Sequence, residues 1–595
     1  MEKPKKYAKI TVITFAPVQG FIEKSRKLRD LYGSSFLISY LAWMLCKTAE
    51  VQYQCQVISP ALINVIQGTP NQIIIDGDFP ENAARNTLNL AWKCVTKACQ
   101  EWLEDCYQIP RNYKLWNRVW QLWINHTWEF FWVQKENSTI DEARQLLNNC
   151  KYQRDWTGIN WQGESSTLSG ADAIAYPQMD QIADPRQYNY QEQKASIGQF
   201  YQAIQQKFGE SFIDSREELS LPELVKRIIT HQDVSNRLIE KVKKYFLHTE
   251  NDFYELFKDI QQLAKDLNID TFKELNRHEN NYWTGWFMGD GDEAGKFLKK
   301  YPDKTKEFSE TMRHWGKNFK DDPPENCRVV YAGGDDFFGI FYDIKTGKQL
   351  NPYLCIQEFI KFKEDYWHKP EKKDICASVG FVWTGAGVPQ RDVLQHCREA
   401  EKSAKSHGRD RIAMRVLFNN GNYIEWVCPW EFLEILNSYE DRNKTQPNFA
   451  DFWYVLYLLA IAKLLHEEYL QLLDLYFYSL IHKRRLAKPN WTHIYNDIAT
   501  LESRHAFGKT KKESREIALA LIDIYFPSYA EKIRDENNWW NKLNKDEILE
   551  TGGILGDRTN YTIDNTTNQL DQQKINQAIN NWVINLAKIG FHLCS

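Results

Sequence analysis

Tyr7 to Phe15 is a short run of β-branched and apolar residues, the signature of a strand. Val18 to Glu50 then places its apolar residues at helical spacing. Val57 to Val65 and Gln72 to Ile75 predict two short strands, Pro80 opens an amphipathic segment running to Glu104, and Thr127 to Val133 returns to strand. The order βαββαβ is that of a ferredoxin-like, or palm, unit with helices on one face of an antiparallel sheet. After a mixed region, with Leu221 to Leu267 helical and Trp156 to Pro177 a Gly/Ser-rich loop, the order repeats. Trp283 to Met288 predicts a strand, Glu293 to Leu298 the start of a helix, and Arg328 to Ala332 with Phe337 to Tyr342 a hairpin. Helix over Tyr353 to Tyr366, strand over Ile375 to Trp383, helix over Val388 to Ser406 and strand over Ile412 to Phe418 complete it. Helical spacing dominates thereafter (Phe452 to Leu475, Glu516 to Tyr525, Ile575 to Leu586). The expectation is an α+β chain: a first palm over residues 1–135, a mainly helical insert over 136–278, a second palm over 279–430 and an all-helical C-terminal domain over 431–595.

Composition sharpens this in three ways. The 595 residues are too many for one core, and 28 glycines with 19 prolines leave little material for linkers, so the domains are expected to pack on one another. The 75 basic and 79 acidic residues nearly cancel, so any hold on nucleic acid must come from local patches or partner subunits. The most apolar stretches, Phe36 to Leu45 and Phe452 to Ile461, fall short of the ~20 residues that cross a membrane, and the first residues do not form an apolar signal. The 12 cysteines include no CxxC pair, which predicts reduced thiols, no structural zinc and a cytoplasmic setting.

The chemistry concentrates in Tyr331-Ala332-Gly333-Gly334-Asp335-Asp336. Two glycines suit a hairpin with positive φ and keep side chains out of a nucleotide's approach. Two aspartates at its tip offer hard oxygen ligands, although Gly-Gly-Asp alone is equally good turn chemistry. Asp290-Gly291-Asp292, at the end of the preceding strand, would lie beside that hairpin in a βαββ unit. Asp290, Asp292, Asp335 and Asp336 gathered this closely repel unless cations neutralise them, so the cluster implies Mg²⁺ or Mn²⁺. Lys402 and Lys405 on the helix after the fourth strand, followed by Gly408, Arg409 and Arg411, could reach a triphosphate, although a solvated helix face reads equally well for Lys405.

In this order the motifs resemble the large, palm-containing subunit of type III CRISPR effector complexes of the Cmr (III-B) type. Pro17-Val18-Gln19-Gly20-Phe21-Ile22 and Arg26-Lys27-Leu28-Arg29-Asp30-Leu31-Tyr32-Gly33-Ser34-Ser35 are similar to that subunit's opening. Asp290-Gly291-Asp292, the Gly-Gly-Asp-Asp hairpin, Ser378-Val379-Gly380 and Glu401-x-x-Ala404-Lys405 follow, so the resemblance spans roughly residues 8 to 430. It implies nucleotidyl cyclase-like palms in which target-RNA binding by the assembled complex, with its guide RNA and other Cmr subunits, triggers conversion of ATP to an adenylate second messenger, usually cyclic oligoadenylate. It further implies Asp290, Asp335 and Asp336 as catalytic metal ligands, with Gly291, Gly333, Gly334, Ser378, Lys402 and Lys405 around the nucleotide. The first palm, reading Gly68-Thr69-Pro70-Asn71 at the hairpin position, would hold an acceptor nucleotide without its own metal centre.

Departures from the family pattern matter equally. No His-Asp dipeptide occurs, and the first palm's motif begins near residue 8, so no HD nuclease activity is expected. His231-Gln232-Asp233 reads as ordinary surface, and Asp76-Gly77-Asp78 as a turn and helix cap. The 22 tryptophans read as core and inter-domain packing rather than base stacking. A silent RNA-binding scaffold and a free-standing GGDEF-like cyclase stay open as alternatives, as do the product's ring size and conjugation of AMP to another acceptor.

Overall fold

A computed structural model describes residues 5–436, apart from 111–112, 154–162, 179–188, 215, 247–249, 273–274, 276–280, 346, 369–374, 431–432 and 434–435, and residues 555–594 apart from 557 and 565–568. The first unit runs β1 (Tyr7–Ala16), α1 (Gln19–Glu23), α2 (Leu28–Tyr53), β2 (Gln56–Ser59), β3 (Ile73–Asp76), α3 (Glu81–Cys106), α4 (Lys114–His126) and β4 (Glu129–Ser138). Its strands lie in the order β2-β3-β1-β4, all antiparallel, the ferredoxin-like arrangement. One face differs from expectation. β1 is apolar in both of its phases: Ile13 and Phe15 join the core with α2 and α3, whereas Ile10 and Val12 need cover on the other side. α5 (Ile140–Tyr152) supplies it with Ile140, Ala143 and Leu147. Thr139 starts that helix by accepting the Glu142 N–H at 3.3 Å, while the Glu142 carboxylate accepts the Thr139 N–H at 3.2 Å. The strand expected to reach Val65 stops at Ser59, because Pro60 brings no N–H to the ladder and the chain turns away toward the second palm.

α2 is apolar on nearly all sides, as a helix enclosed by protein must be. A Cβ on Gly33 would lie 2.1 Å from the Lys226 carbonyl oxygen, so glycine there lets the insert's backbone come close. The insert, expected to be helical throughout 221–267, is broken into α7 (Leu221–Ile228), α8 (Gln232–Tyr245) and α9 (Tyr254–Asp266) after α6 (Tyr190–Phe208). His231 is not idle surface. Its Nδ1 accepts the Asp233 N–H at 3.3 Å to cap α8, and its ring packs on Trp102 and Phe208. One hydrophobic core joins α2 to insert residues Phe200, Leu224 and Ile260 and to Trp286, Phe338 and Val382 of the second sheet. The sparse linkers thus correspond to shared packing. Trp92, Trp102, Trp116, Trp120, Trp286, Trp315, Trp367 and Trp426 are fully buried.

The second unit comprises β5 (Thr284–Gly291), α10 (Ala294–Lys300), α11 (Thr305–Asp321), β6 (Cys327–Ala332), β7 (Phe337–Phe341), α12 (Pro352–Lys361), β8 (Ala377–Thr384), α13 (Gln390–Ser406), β9 (Arg411–Leu417) and β10 (Tyr423–Pro429). The order β10-β9-β8-β5-β7-β6 repeats the ferredoxin-like set and adds β9, parallel to β8, and β10. The tail segments Phe452 to Leu475 and Glu516 to Tyr525 lie outside the described residues. The described tail, expected to be all helix, also carries a ribbon of β11 (Thr562–Asp564) and β12 (Gln569–Leu570). Its helix α14 (Gln572–Leu593) covers the second sheet, where Trp582 Nε1 donates to the Val427 carbonyl at 2.8 Å. Among the described residues no helix is long and apolar enough to cross a membrane.

Candidate active site

β5 continues past Met288 to Gly291, so Asp290 is not in a turn. It is a strand residue opposite Ser378 of β8, while Gly289 stands opposite Phe337 of β7. The glycines here make room. A Cβ on Gly289 would meet the Phe337 ring at 2.2 Å, and one on Gly291 would meet the Asp335 Cβ at 2.9 Å. The Gly291 N–H donates to the Asp335 carbonyl at 3.1 Å, which fixes the strand end to the hairpin. The hairpin closes with the Gly333 N–H on the Asp336 carbonyl at 3.2 Å. Neither Gly333 nor Gly334 has positive φ, contrary to the turn argument. A Cβ on Gly333 would instead sit 3.1 Å from the Gly68 backbone, and one on Gly334 would lie 3.5 Å from Pro70 Cγ. Gly291 and Gly333 are therefore small for the sake of packing, and Gly333 in particular admits the first palm.

Asp290, Asp335 and Asp336 do converge. Asp336 is open to solvent at its surface yet ringed by protein atoms. That partial burial, then the charges of Asp290 and Asp335 and a hydrogen bond with Asp290, push it well above the carboxylate range. Burial and Asp290 push Asp335 up to about 6. Lys405 reaches the cluster from α13, with its Nζ paired to Asp290 Oδ2 and 2.5 Å from Glu401 Oε1. Burial would lower this ammonium, but Asp290 and Glu401 outweigh it and hold it above its usual range.

Other expected site residues are placed elsewhere. Ser378 is buried, and its Oγ donates to Asp292 Oδ1 at 2.7 Å. The other Asp292 oxygen accepts the Asp410 N–H at 2.9 Å, and burial pushes this carboxyl up to about 6. Here both side chains, expected at the metal and the nucleotide, are instead bonded to each other. Asp292 lies just past the end of β5, where Ser378 and the Asp410 N–H hold its carboxylate. Arg411 is also buried, its Nε donating to the Arg409 carbonyl at 2.8 Å, and Arg409 faces Glu293 at 3.5 Å. Lys402 is exposed, without an ion pair among the described residues. In Asp76-Gly77-Asp78, expected to be a turn and helix cap, Asp76 ends β3 and Gly77 makes the bend. The segment is not a cap, because Asp78 accepts Lys9 Nζ at 2.7 Å and Gln134 Nε2 at 2.9 Å, while Pro80 precedes α3. Arg144 of α5 was missed because nothing in its local sequence marks it. Its charge acts on Asp335 across the palms, and its Nε is buried without a hydrogen-bond partner.

Among the described residues no three His, Cys, Asp or Glu side chains stand grouped as a ready-made metal site. Lys405 is the cation beside Asp290. The donor set still fits a hard divalent ion, since Asp290, Asp335 and Asp336 offer only oxygen, and the raised carboxyls of Asp335 and Asp336 mark negative charge lacking neutralisation. Asp290→Asn is expected to weaken Mn²⁺ binding about tenfold, whereas Asp292→Asn leaves it within about threefold. Titration calorimetry of the two variants decides whether Asp292 ligates or only positions.

The family described as CRISPR-associated protein Cmr2, N-terminal, matches residues 10–248, and that described as Cas10/Cmr2, second palm domain, matches residues 283–413. No curated protein matches. Among solved structures, a type III-B Cmr-beta complex in the apo state is similar at 11% identity with a TM-score of 0.45, over 72% of this chain and 71% of that one. Cmr-beta bound to cognate target RNA gives 12% identity and 0.42, over 92% and 80%. A Csm1–Csm4 cassette in complex with cA4 gives 13% and 0.34, over 89% and 70%. The two family matches together take in more than half of the chain, in the order in which the palms occur, and the chain belongs to the Cas10/Cmr2 family of type III CRISPR effector subunits.

Proposed function

We propose that this chain is the ATP-polymerising subunit of a type III-B effector, making an adenylate second messenger, in cyclic oligoadenylate form, once target RNA is bound. The observation that carries the reading is the meeting of Asp290, from the end of β5, with Asp335 and Asp336 of the β6–β7 hairpin, beside Lys405. When bound to these carboxylates, Mg²⁺ or Mn²⁺ lowers the pKa of a ribose 3′-OH and neutralises charge on the leaving pyrophosphate. Lys405 moves from Asp290 to the triphosphate, which keeps a cation against the nucleotide's charge. Lys402 and Arg144 add positive charge from either flank. Gly68 to Asn71 of the first palm border the hairpin and supply the acceptor nucleotide's seat. The near-balanced charge of the chain leaves the holding of guide and target RNA to neighbouring subunits.

The complex assembled with guide RNA is tested with matching target RNA, ATP and Mg²⁺, and the products are read by mass spectrometry. Phosphodiester-linked adenylates that depend on target RNA support the reading. Target-RNA binding without ATP turnover would make the chain a silent scaffold. Lys405→Met is expected to lower turnover about 10²-fold and to raise KM for ATP, as loss of a triphosphate contact does. Steady-state kinetics check this, and an unchanged KM would remove Lys405 from the triphosphate.

A further inference from the structure

The loop of the first palm that follows Pro60 is bound to the carboxylate hairpin of the second palm by one face of α11. Arg313, Gly316 and Lys320 recur there at helical spacing. Lys320 Nζ donates to the Val330 carbonyl at 3.1 Å and to the Ile66 carbonyl. A Cβ on Gly316 would fall 2.1 Å from the Ala332 carbonyl oxygen and 2.7 Å from Gln67 Nε2, so only glycine lets the helix sit this close. Gln67 Nε2 donates to the Arg313 carbonyl at 2.6 Å and to the Ala332 carbonyl at 3.1 Å, and the Ala332 N–H returns to the Gln67 carbonyl at 2.9 Å.

Arg313 completes the seam. Its Nη2 and Nε donate to the Leu62 carbonyl at 3.0 and 3.3 Å, and its Nη1 donates to the Gly333 carbonyl at 2.9 Å and to that of Gly68. The side chain is 2% exposed, and all these partners are neutral carbonyls. The Asp259 carboxylate acts on this guanidinium only through space, and a buried guanidinium without an ion pair among the described residues is a costly way to fill space that an apolar side chain would fill more cheaply. Its planar fork does what an apolar chain or a single ammonium does not, because it holds carbonyls of two palms in one plane. Gly333 begins the turn whose closing bond fixes Asp336, so the fork acts two and three residues from the converging carboxylates.

We propose that Arg313 is a positioning residue for nucleotidyl transfer: it staples the 62–68 loop of the first palm to Gly333 and so sets where Asp335 and Asp336 stand. The proposal rests on the reading of the site as an ATP polymerase. In the assembled complex, Arg313→Lys keeps the charge and loses the fork. It is expected to lower kcat about 10²-fold, the loss that a displacement of ~1 Å produces, with KM for ATP within about threefold of wild type. Amide hydrogen exchange at residues 333–336 is expected to accelerate while that of β1 and β4 stays unchanged. Gln67→Ala removes two bonds of the seam and leaves Arg313 in place, and the same signature is expected at about tenfold, which guards against misfolding of the arginine variant. Wild-type kcat and exchange in both variants, or a loss of activity that only follows the folded fraction, would overturn the proposal. Exchange needs no turnover, so if the wild type consumes no ATP the functional reading fails while the exchange comparison still decides the staple.

Discussion

Replacing Asp335 and Asp336 together by Asn is expected to abolish ATP turnover and to make the protein more stable. The two effects share a cause. In the folded chain Asp335 is pushed up to about 6 and Asp336 well above the carboxylate range, by burial first and then by Asp290. A group whose folded pKa is raised binds protons more tightly in the native state, so stability declines as pH rises from about 4 through about 6, where Asp335 ionises, and falls further as Asp336 ionises above that. Discounted for the solvent-exposed surface of Asp336, the strain at neutral pH is about 1–3 kcal/mol. The double Asn variant lacks that decline. It also lacks the anionic oxygens that would hold metal against the triphosphate, and a loss of at least about 10³-fold in product is expected. Urea unfolding at pH 4.5 and 7.5, with product measured by mass spectrometry, checks both halves. Added Mg²⁺ should raise the melting temperature of the wild type and leave the variant's unchanged. A variant no more stable than wild type at pH 7.5, or one that still makes product, would refute the account.

What the sequence made legible follows from range. The βαββαβ order is written in local periodicity, and so were the strands that carry Asp290 and the Gly-Gly-Asp-Asp hairpin. Neighbouring strands in such a unit must bring those carboxylates together, which is why their meeting could be read directly. Ser378 and Asp292 were set at the nucleotide and the metal because nothing local shows that they bond to each other and that Asp292 also takes the Asp410 N–H, contacts made by residues 86 and 118 positions apart. The glycines were read as turn residues because close approach by a second palm leaves no mark in the local sequence, as Gly333 against Gly68 shows. Arg144 lies far along the chain from Asp335, and Arg313 from the Leu62 carbonyl, so only the tertiary structure singles them out. The second face of the first sheet was the one fold-level surprise. The double apolar phase of β1 carried that information, since Ile10 and Val12 alternate with Thr11 and Ile13.

Asp30→Ala is expected to give the largest loss of stability among single changes, about 3–5 kcal/mol, because it leaves a buried guanidinium without its closest anion. Arg227 of the insert donates through Nη2 to Asp30 Oδ2 at 2.7 Å and through Nη1 to Glu217 Oε2 at 3.0 Å, and both Arg227 and Asp30 are essentially fully buried. Asp30 Oδ2 also accepts the N–H groups of Arg26 and Lys27 at 2.9 and 3.0 Å, which shapes the start of α2. Burial alone would raise the carboxyl, but Arg227 outweighs it and holds Asp30 below its ordinary value. The sign is therefore opposite to that of the hairpin: this contribution is complete above about pH 4 and is lost as pH falls through the depressed pKa. Asp30→Leu combined with Arg227→Met is expected to recover most of the loss, since an apolar pair carries no desolvation penalty. The junction also bears on the site. Asp30 and Lys226 hold the 21–27 segment, with Lys226 Nζ on the Phe21 carbonyl at 2.9 Å, and Glu23 in that segment pairs with Arg398 of α13, two turns before Lys405. Loosening the junction should therefore lower ATP turnover beyond the folded fraction, and the apolar pair should restore stability more fully than activity. Denaturant unfolding alongside turnover per folded molecule separates the two. Equal recovery of both would confine Asp30 to the fold.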